Sequence, residues 1–158
     1  MSFDHHDLPR REGLKPRTTP DPPHSQLDQI SPPEMFEALA ARIFSFPEIE
    51  ERPSIISVPG ARALWLPNCE QCGPPEAFMA GCEFAHLHPP SDGSLHAALP
   101  PPLADAAIAN GWAEIHPVAL TGQIPRNVVM VYGPRDSAEV EIVAGMIDAA
   151  RRFAMGQG

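Results

Sequence analysis

Residues 83–96 read Glu-Phe-Ala-His-Leu-His-Pro-Pro-Ser-Asp-Gly-Ser-Leu-His, and few chain paths suit them. Two apolar runs flank Asp92-Gly93, a turn-forming pair, so the segment predicts an antiparallel hairpin. Successive strand side chains point to opposite faces, which puts His86 and His88 on one face. With a loop from Pro89 to Gly93, His88 lies opposite Ser94 and His86 lies opposite His96. Directly opposed residues share a face, with Cβ atoms roughly 5 Å apart. Three imidazoles and a hydroxyl then crowd one patch, which a packed core does not require. A one-residue slip in register would send one strand's histidine to the other face.

A second fragment, Gly111-Trp112-Ala113-Glu114-Ile115-His116-Pro117, alternates polar and apolar in the same way. Glu114 and His116 share a face, with Ala113 and Ile115 on the other. If this strand joins the same sheet, a carboxylate and a fourth imidazole are added to the patch.

The rest of the chain bounds the setting. It has 158 residues, 43% of them hydrophobic, enough for one domain with a core. The net charge is −9 and only 11 residues are Lys or Arg. Nucleic-acid binding needs clustered positive charge, so DNA, RNA and anionic membrane surfaces are not expected partners. No run of about 18 apolar residues is present, and the N-terminus lacks a signal-like apolar stretch. With three cysteines, an odd number, these features predict a reducing, cytoplasmic setting.

Proline is abundant, at 21 residues. Residues 1–30, rich in Pro, Asp, His and Arg, predict a disordered tail that includes His5, His6 and His24. Residues 31–158 form the expected folded domain. Ser31 and Glu34 have capping-box spacing, with Phe36, Leu39, Ala40 and Ile43 on the inner face of the helix that follows. Residues 54–58 and 61–66 read as strands around a Pro59-Gly60 turn. Pro101-Pro102 open a short helix that Asn110-Gly111 stops, with Leu103 and Ala107 inward. Strands are expected at 112–118 and 127–132. Asp136 caps a last helix whose stripe is Val140, Val143, Ala144 and Ile147. Short, hairpin-linked strands with helices on one face make a single α+β domain with a largely antiparallel sheet. The uncovered face is then open to carry the histidines in a cleft.

Three uses fit such a patch. Neutral imidazoles bind Zn, Fe, Cu or Ni, with Glu114 as a possible carboxylate ligand. A histidine can instead act as general base on an acidic organic substrate while others stabilise the anion. Histidines can also simply hydrogen-bond turn backbones, with Asp92 or Ser94 as partners. Cys69-x-x-Cys72 is a weak motif outside a strand-to-helix setting, and the cysteines are expected to be loop thiols. Arg135 either steers an anionic substrate or is an ordinary surface residue. Trp112 and Tyr132 suit the core as well as a ligand-binding wall.

Four stretches carry a resemblance: Glu-Phe-Ala-His-Leu-His-Pro at 83–89, Asp-Gly-Ser-Leu-His at 92–96, Gly-Trp-Ala-Glu-Ile-His-Pro at 111–117 and Val-Met-Val-Tyr-Gly-Pro-Arg-Asp at 129–136. In this order they resemble the luciferase domain of luminous fungi and its bacterial relatives, over about Ser31 to Ala154. The fungal enzymes oxidise 3-hydroxyhispidin, a hydroxylated α-pyrone, with molecular oxygen. The resemblance implies a cyclic peroxide that loses carbon dioxide, without flavin, ATP or an obligatory metal. It implies that one of His86, His88, His96 or His116 deprotonates the enol while the others and Arg135 hold the enolate. Unlike the fungal proteins, this chain has a polar N-terminal tail in place of a hydrophobic segment.

The expected function is thus that of a cofactor-independent oxygenase for a hydroxypyrone-like or related enolisable small molecule. Its catalytic candidates are His86, His88, His96, Glu114 and His116, and its substrate-binding candidates are Ser94, Trp112, Tyr132 and Arg135. A His-rich metalloenzyme and a non-catalytic module for a small acidic ligand are the alternatives.

Overall fold

The computed structural model describes residues 4–69 and 73–157. Helix α1 spans Pro33–Ile43. Strands β1 (Glu50–Pro53), β2 (Arg62–Trp65), β3 (Glu83–Leu87) and β4 (Leu95–Ala98) follow. Then come α2 (Pro101–Ala109), β5 (Ala113–Ile115), β6 (Val128–Val131) and α3 (Ser137–Ala154). The strands form one sheet in the order β1-β2-β3-β4-β6-β5, with every pairing antiparallel. This is the expected α+β fold.

Register divides the sheet into two faces. Leu64, Ala85, Leu87, Leu95, Ala97, Val129 and Val131 point to one side, into a core shared with Leu39 and Ile43 of α1 and Val143 and Ile147 of α3. The other face carries a row in which His86 opposes His96, His96 opposes Met130, and Met130 opposes Glu114. The hairpin loop runs from Pro89 to Gly93, closed by Asp92 and Gly93 N–H groups donating to the Pro89 carbonyl at 2.9 Å. Gly93 takes φ +75°, a conformation that costs glycine little.

Several expectations change. Ser31 does not cap α1; Pro32 occupies that position, and the Ser31 hydroxyl is buried without a hydrogen-bond partner. Two glycines explain its burial, because Ser31 packs against Gly93 and against Gly133, where any Cβ would stand 2.6 Å from its hydroxyl oxygen. Residues 54–58 are loop, and the strand is the charged run Glu50–Pro53. The physical reason is a buried carboxylate: Ser54 Oγ and the Ile55 N–H donate to Glu83, at 2.8 and 3.3 Å, which draws this backbone out of the ladder. Edge strand β1 keeps ion pairs such as Arg62–Glu51, which discourage further strand addition.

Cys69 and Cys82 form a disulfide, so they are not loop thiols, and Cys72 lies outside the described residues. Disulfides persist in oxidising surroundings, so cysteine usage no longer argues for a reducing compartment. No helix of the described residues is long and apolar enough to cross a membrane.

The largest difference is at the N-terminus. Where composition predicts a solvated tail, residues 4–31 lie as a strap across the site face of the sheet. Trp112 Nε1 donates to the Pro9 carbonyl at 2.6 Å, and the Arg11 N–H donates to Asn110. Thr18 donates to Glu114, Gln26 N–H donates to Asp92, and Gly133 N–H donates to Gln26 Oε1. The strap is held by buried polar groups that find partners on the sheet, a contribution that hydropathy does not register.

Candidate active site

The strap, the 54–58 loop and the segment 116–128 wall a pocket of about 600 Å³ over the site face. Most of its lining is apolar: Ile56, Val58, Phe78, Met79, Val118 and Ile124 are among the residues that face it. Its polar side chains are chiefly five imidazoles, His24, His86, His88, His96 and His116. The hairpin pairing read from sequence supplies three of them, β5 leads into His116, and the strap supplies His24.

Hydrogen-bond partners assign each ring's tautomer. His86 Nδ1 is 2.8 Å from Glu83 Oε2, a carboxylate that can only accept, so Nδ1 carries the hydrogen. Glu83 is fully buried and also receives Ser54 and Ile55. The Ser94 hydroxyl donates to Asp92 in a short contact. His88 Nδ1, 2.9 Å from Ser94 Oγ and 3.3 Å from Asp92 Oδ2, therefore supplies its own hydrogen. His24 Nε2 donates to Glu114 Oε2 at 2.8 Å, which leaves His24 Nδ1 to accept from His96 Nε2 at 3.0 Å. In the neutral rings these tautomers leave three nitrogens without hydrogens. His86 Nε2 and His88 Nε2 each lie 3.1 Å from His96 Nδ1, so three lone pairs converge.

Burial favours the neutral form of His86, His96 and His116. Desolvation lowers the His86 pKa despite the Glu83 hydrogen bond, and lowers His96 far more, with repulsion from the neighbouring imidazoles adding to it. His116 is pushed down to about 4 by burial and by His24, His86 and His88. Its Nδ1 accepts the Val118 N–H at 3.0 Å, so its Nε2–H is a donor. Asp92 and Glu114 behind the rings stay ionised. Burial raises Asp92 and Glu114, but hydrogen bonds outweigh it and hold both below their ordinary values. For Asp92 these come from His88 and Ser94, and for Glu114 from His24, Thr18 and Tyr132.

The candidates thus fall into three groups. His86, His88, His96 and His116 converge in the pocket as the strand spacing predicts. Ser94, Glu114 and Tyr132 stand behind the rings: Ser94 backs His88, and Glu114 backs His24 while accepting from the Tyr132 hydroxyl at 2.8 Å. Trp112 and Arg135 are elsewhere. Trp112 is buried under the strap, and Arg135 pairs with Glu139 and donates to the Glu12 carbonyl, so neither lines the pocket. Sequence reasoning missed His24 and the orienting role of Glu83. Glu83 opens the strand motif three residues before His86, which is the one local hint of its role.

The luciferase-domain family model matches residues 81–150. Over that segment the chain is luciferase-like. A luciferase of Armillaria gallica is 27% identical over 161 residues, which cover 91% of this chain and 60% of that protein. Luciferases of Armillaria ostoyae and Armillaria mellea are 34% and 33% identical over 70 residues, covering 43% of this chain and 26% of each relative. The chain therefore spans 60% of the length of the first of these relatives and 26% of each of the other two. No solved structure matches it. The luciferase-like segment holds His86, His88, His96, His116 and all three backing carboxylates, and the strap that brings His24 precedes it.

Proposed function

We propose that this chain is a luciferase-like oxygenase, one that brings an enolisable, largely apolar ring such as a hydroxypyrone together with molecular oxygen. The observation that carries the reading is the pocket: apolar walls enclose imidazoles whose lone pairs and N–H groups are already oriented. An acidic enol seated there meets nitrogen lone pairs that accept its proton, and the His116 N–H stands ready for the oxyanion. The electron-rich carbon then adds O2, the peroxide closes on the ring carbonyl, and carbon dioxide leaves with one of the added oxygen atoms. The apolar walls exclude water from the charged intermediates. Arg135, which the resemblance assigns to the enolate, has no part in this reading because Glu139 holds it away from the pocket.

The test is oxygen consumption, with parallel light detection, on a panel of 3-hydroxypyrones and related enols. His96→Ala is expected to lose at least about 100-fold in rate, the scale of general acid–base catalysis, with the fold retained by circular dichroism. Uptake that is absent across the panel, or undiminished in the folded variant, would contradict the proposal.

A further inference from the structure

We infer that His86 Nε2, His88 Nε2 and His96 Nδ1 form a binding site for one divalent first-row transition-metal ion, open on its fourth side to the pocket. Three features of the donor set point there, and none depends on the oxygenase reading.

The first is spacing. The two nitrogens at 3.1 Å from His96 Nδ1 cannot both be satisfied by it, since His96 has one in-plane lone pair and neither neighbour has a hydrogen left to give. With metal–nitrogen bonds of about 2.05 Å, ligand nitrogens lie roughly 2.9 Å apart at a right angle and about 3.3 Å apart at a tetrahedral one. The two separations from His96 Nδ1 fall between these, and the ligand atoms of the three histidines all lie within 4.8 Å of one another. A cation at their meeting point turns an unsatisfied arrangement into a satisfied one.

The second is what stands behind each ring. Glu83 accepts from His86, Ser94 with Asp92 accepts from His88, and His24 relays His96 to Glu114. Metal-bound histidines characteristically donate their other N–H to a carboxylate or a polar relay, which fixes the ring and raises its basicity.

The third is charge. Glu83, Asp92 and Glu114 surround the cluster, and among the described residues no Lys or Arg pairs with any of them. Carboxylates drawn away from water are stabilised by a nearby cation, and a divalent ion on the three imidazoles supplies one. His24, His96 and His116 also lie close together, but a single hydrogen already joins His24 Nδ1 to His96 Nε2, so that group has fewer free lone pairs. Imidazole donors suit Zn, Co, Ni, Cu or Fe and do not suit Mg or Ca.

The experiment uses the full chain, stripped with chelator and titrated with Co2+, then competed with Zn2+. The expected result is one Co2+ per chain, with the intense visible absorption of a low-coordinate nitrogen site that Zn2+ abolishes. His88→Ala is expected to lose the signal, and Glu83→Gln to weaken binding by about 10- to 100-fold. If His88→Ala fails to fold, Glu83→Gln decides. Asp4, His5 and His6 form an exposed cluster that could bind ions adventitiously, so a His5→Ala/His6→Ala double variant is the control and is expected to bind normally. An aquo-ion spectrum in the wild type, a signal that survives His88→Ala, an unweakened Glu83→Gln, or a signal lost in the double variant overturns the site. A chain that consumes oxygen but takes up no Co2+ overturns the ion alone, and a stoichiometric ion without uptake on any enol overturns the oxygenase alone.

Discussion

His96 opposes His86 across the hairpin, approaches His88, and passes its remaining N–H to His24. Of these relations, strand alternation makes the first two legible, because period-2 spacing fixes which side chains share a face. The third depends on a residue 72 positions away in the chain, and nothing local announces it. Glu83 makes the same point energetically. It accepts from Ser54, Ile55 and His86 while fully buried, so Glu83→Ala leaves three donors without an acceptor. A loss of about 3 kcal/mol in urea unfolding is expected. A loss below about 1 kcal/mol would show that water replaces the carboxylate. Ser31 is the converse case, a buried hydroxyl with nothing to bond. Ser31→Ala is expected to be neutral or to stabilise by up to about 1 kcal/mol, and a clear destabilisation would mean that the hydroxyl has a partner.

Among elements, α3 was the most readable. Asp136 Oδ1 accepts the Glu139 N–H at 2.9 Å, as the capping spacing predicts, and Asp136→Ala is expected to cost about 1 kcal/mol. The same chemistry misled at α1, where Ser31 has the right spacing but is drawn into packing against two glycines. It misled again at residues 54–58, whose β-branched run suggests a strand but whose backbone is held by Glu83. Local propensity yields in both places to a tertiary contact that the sequence does not display. Glu139 also gives this helix a pH dependence. Burial raises its pKa, but hydrogen bonds from Arg135 outweigh that and hold it below the ordinary 4.5. The unfolded chain therefore takes up the proton first as pH falls. The stability Glu139 contributes is present above about pH 4.5 and lost below it. Urea midpoints are expected to fall between pH 6 and pH 3, and to fall less in Glu139→Gln. An identical pH slope in the variant would exclude Glu139 as a source.

Across the whole molecule, the sheet, its helix-covered face and the histidine face were legible because apolar periodicity reports burial. The strap was not, because it is anchored through Arg11, Thr18, His24 and Gln26, residue types that composition assigns to solvent. Trypsin separates the two descriptions. A solvated tail is cut at Arg10, Arg11 and Arg17 within minutes. A docked strap, with Arg11 buried and the Arg17 N–H bound by Asp28, is expected to be cut on the timescale of local opening and to slow the loss of the folded domain. The strap also supplies Pro22, Pro23, His24 and Ser25 to the pocket, so its removal opens the site to water.

The convergence of three imidazole lone pairs beneath an apolar pocket carries both readings: free, they take the enol's proton, and on an ion, they hold it and leave its fourth side to the enolate. Long-range 1H–15N correlation spectra of the histidine rings, recorded on the chelator-treated chain at neutral pH, read the tautomers directly. The expected result is Nδ1–H for His86 and His88 and Nε2–H for His96. An Nε2–H on His86 or His88, donated to His96, would contradict it and make the cluster a closed structural hydrogen-bond network.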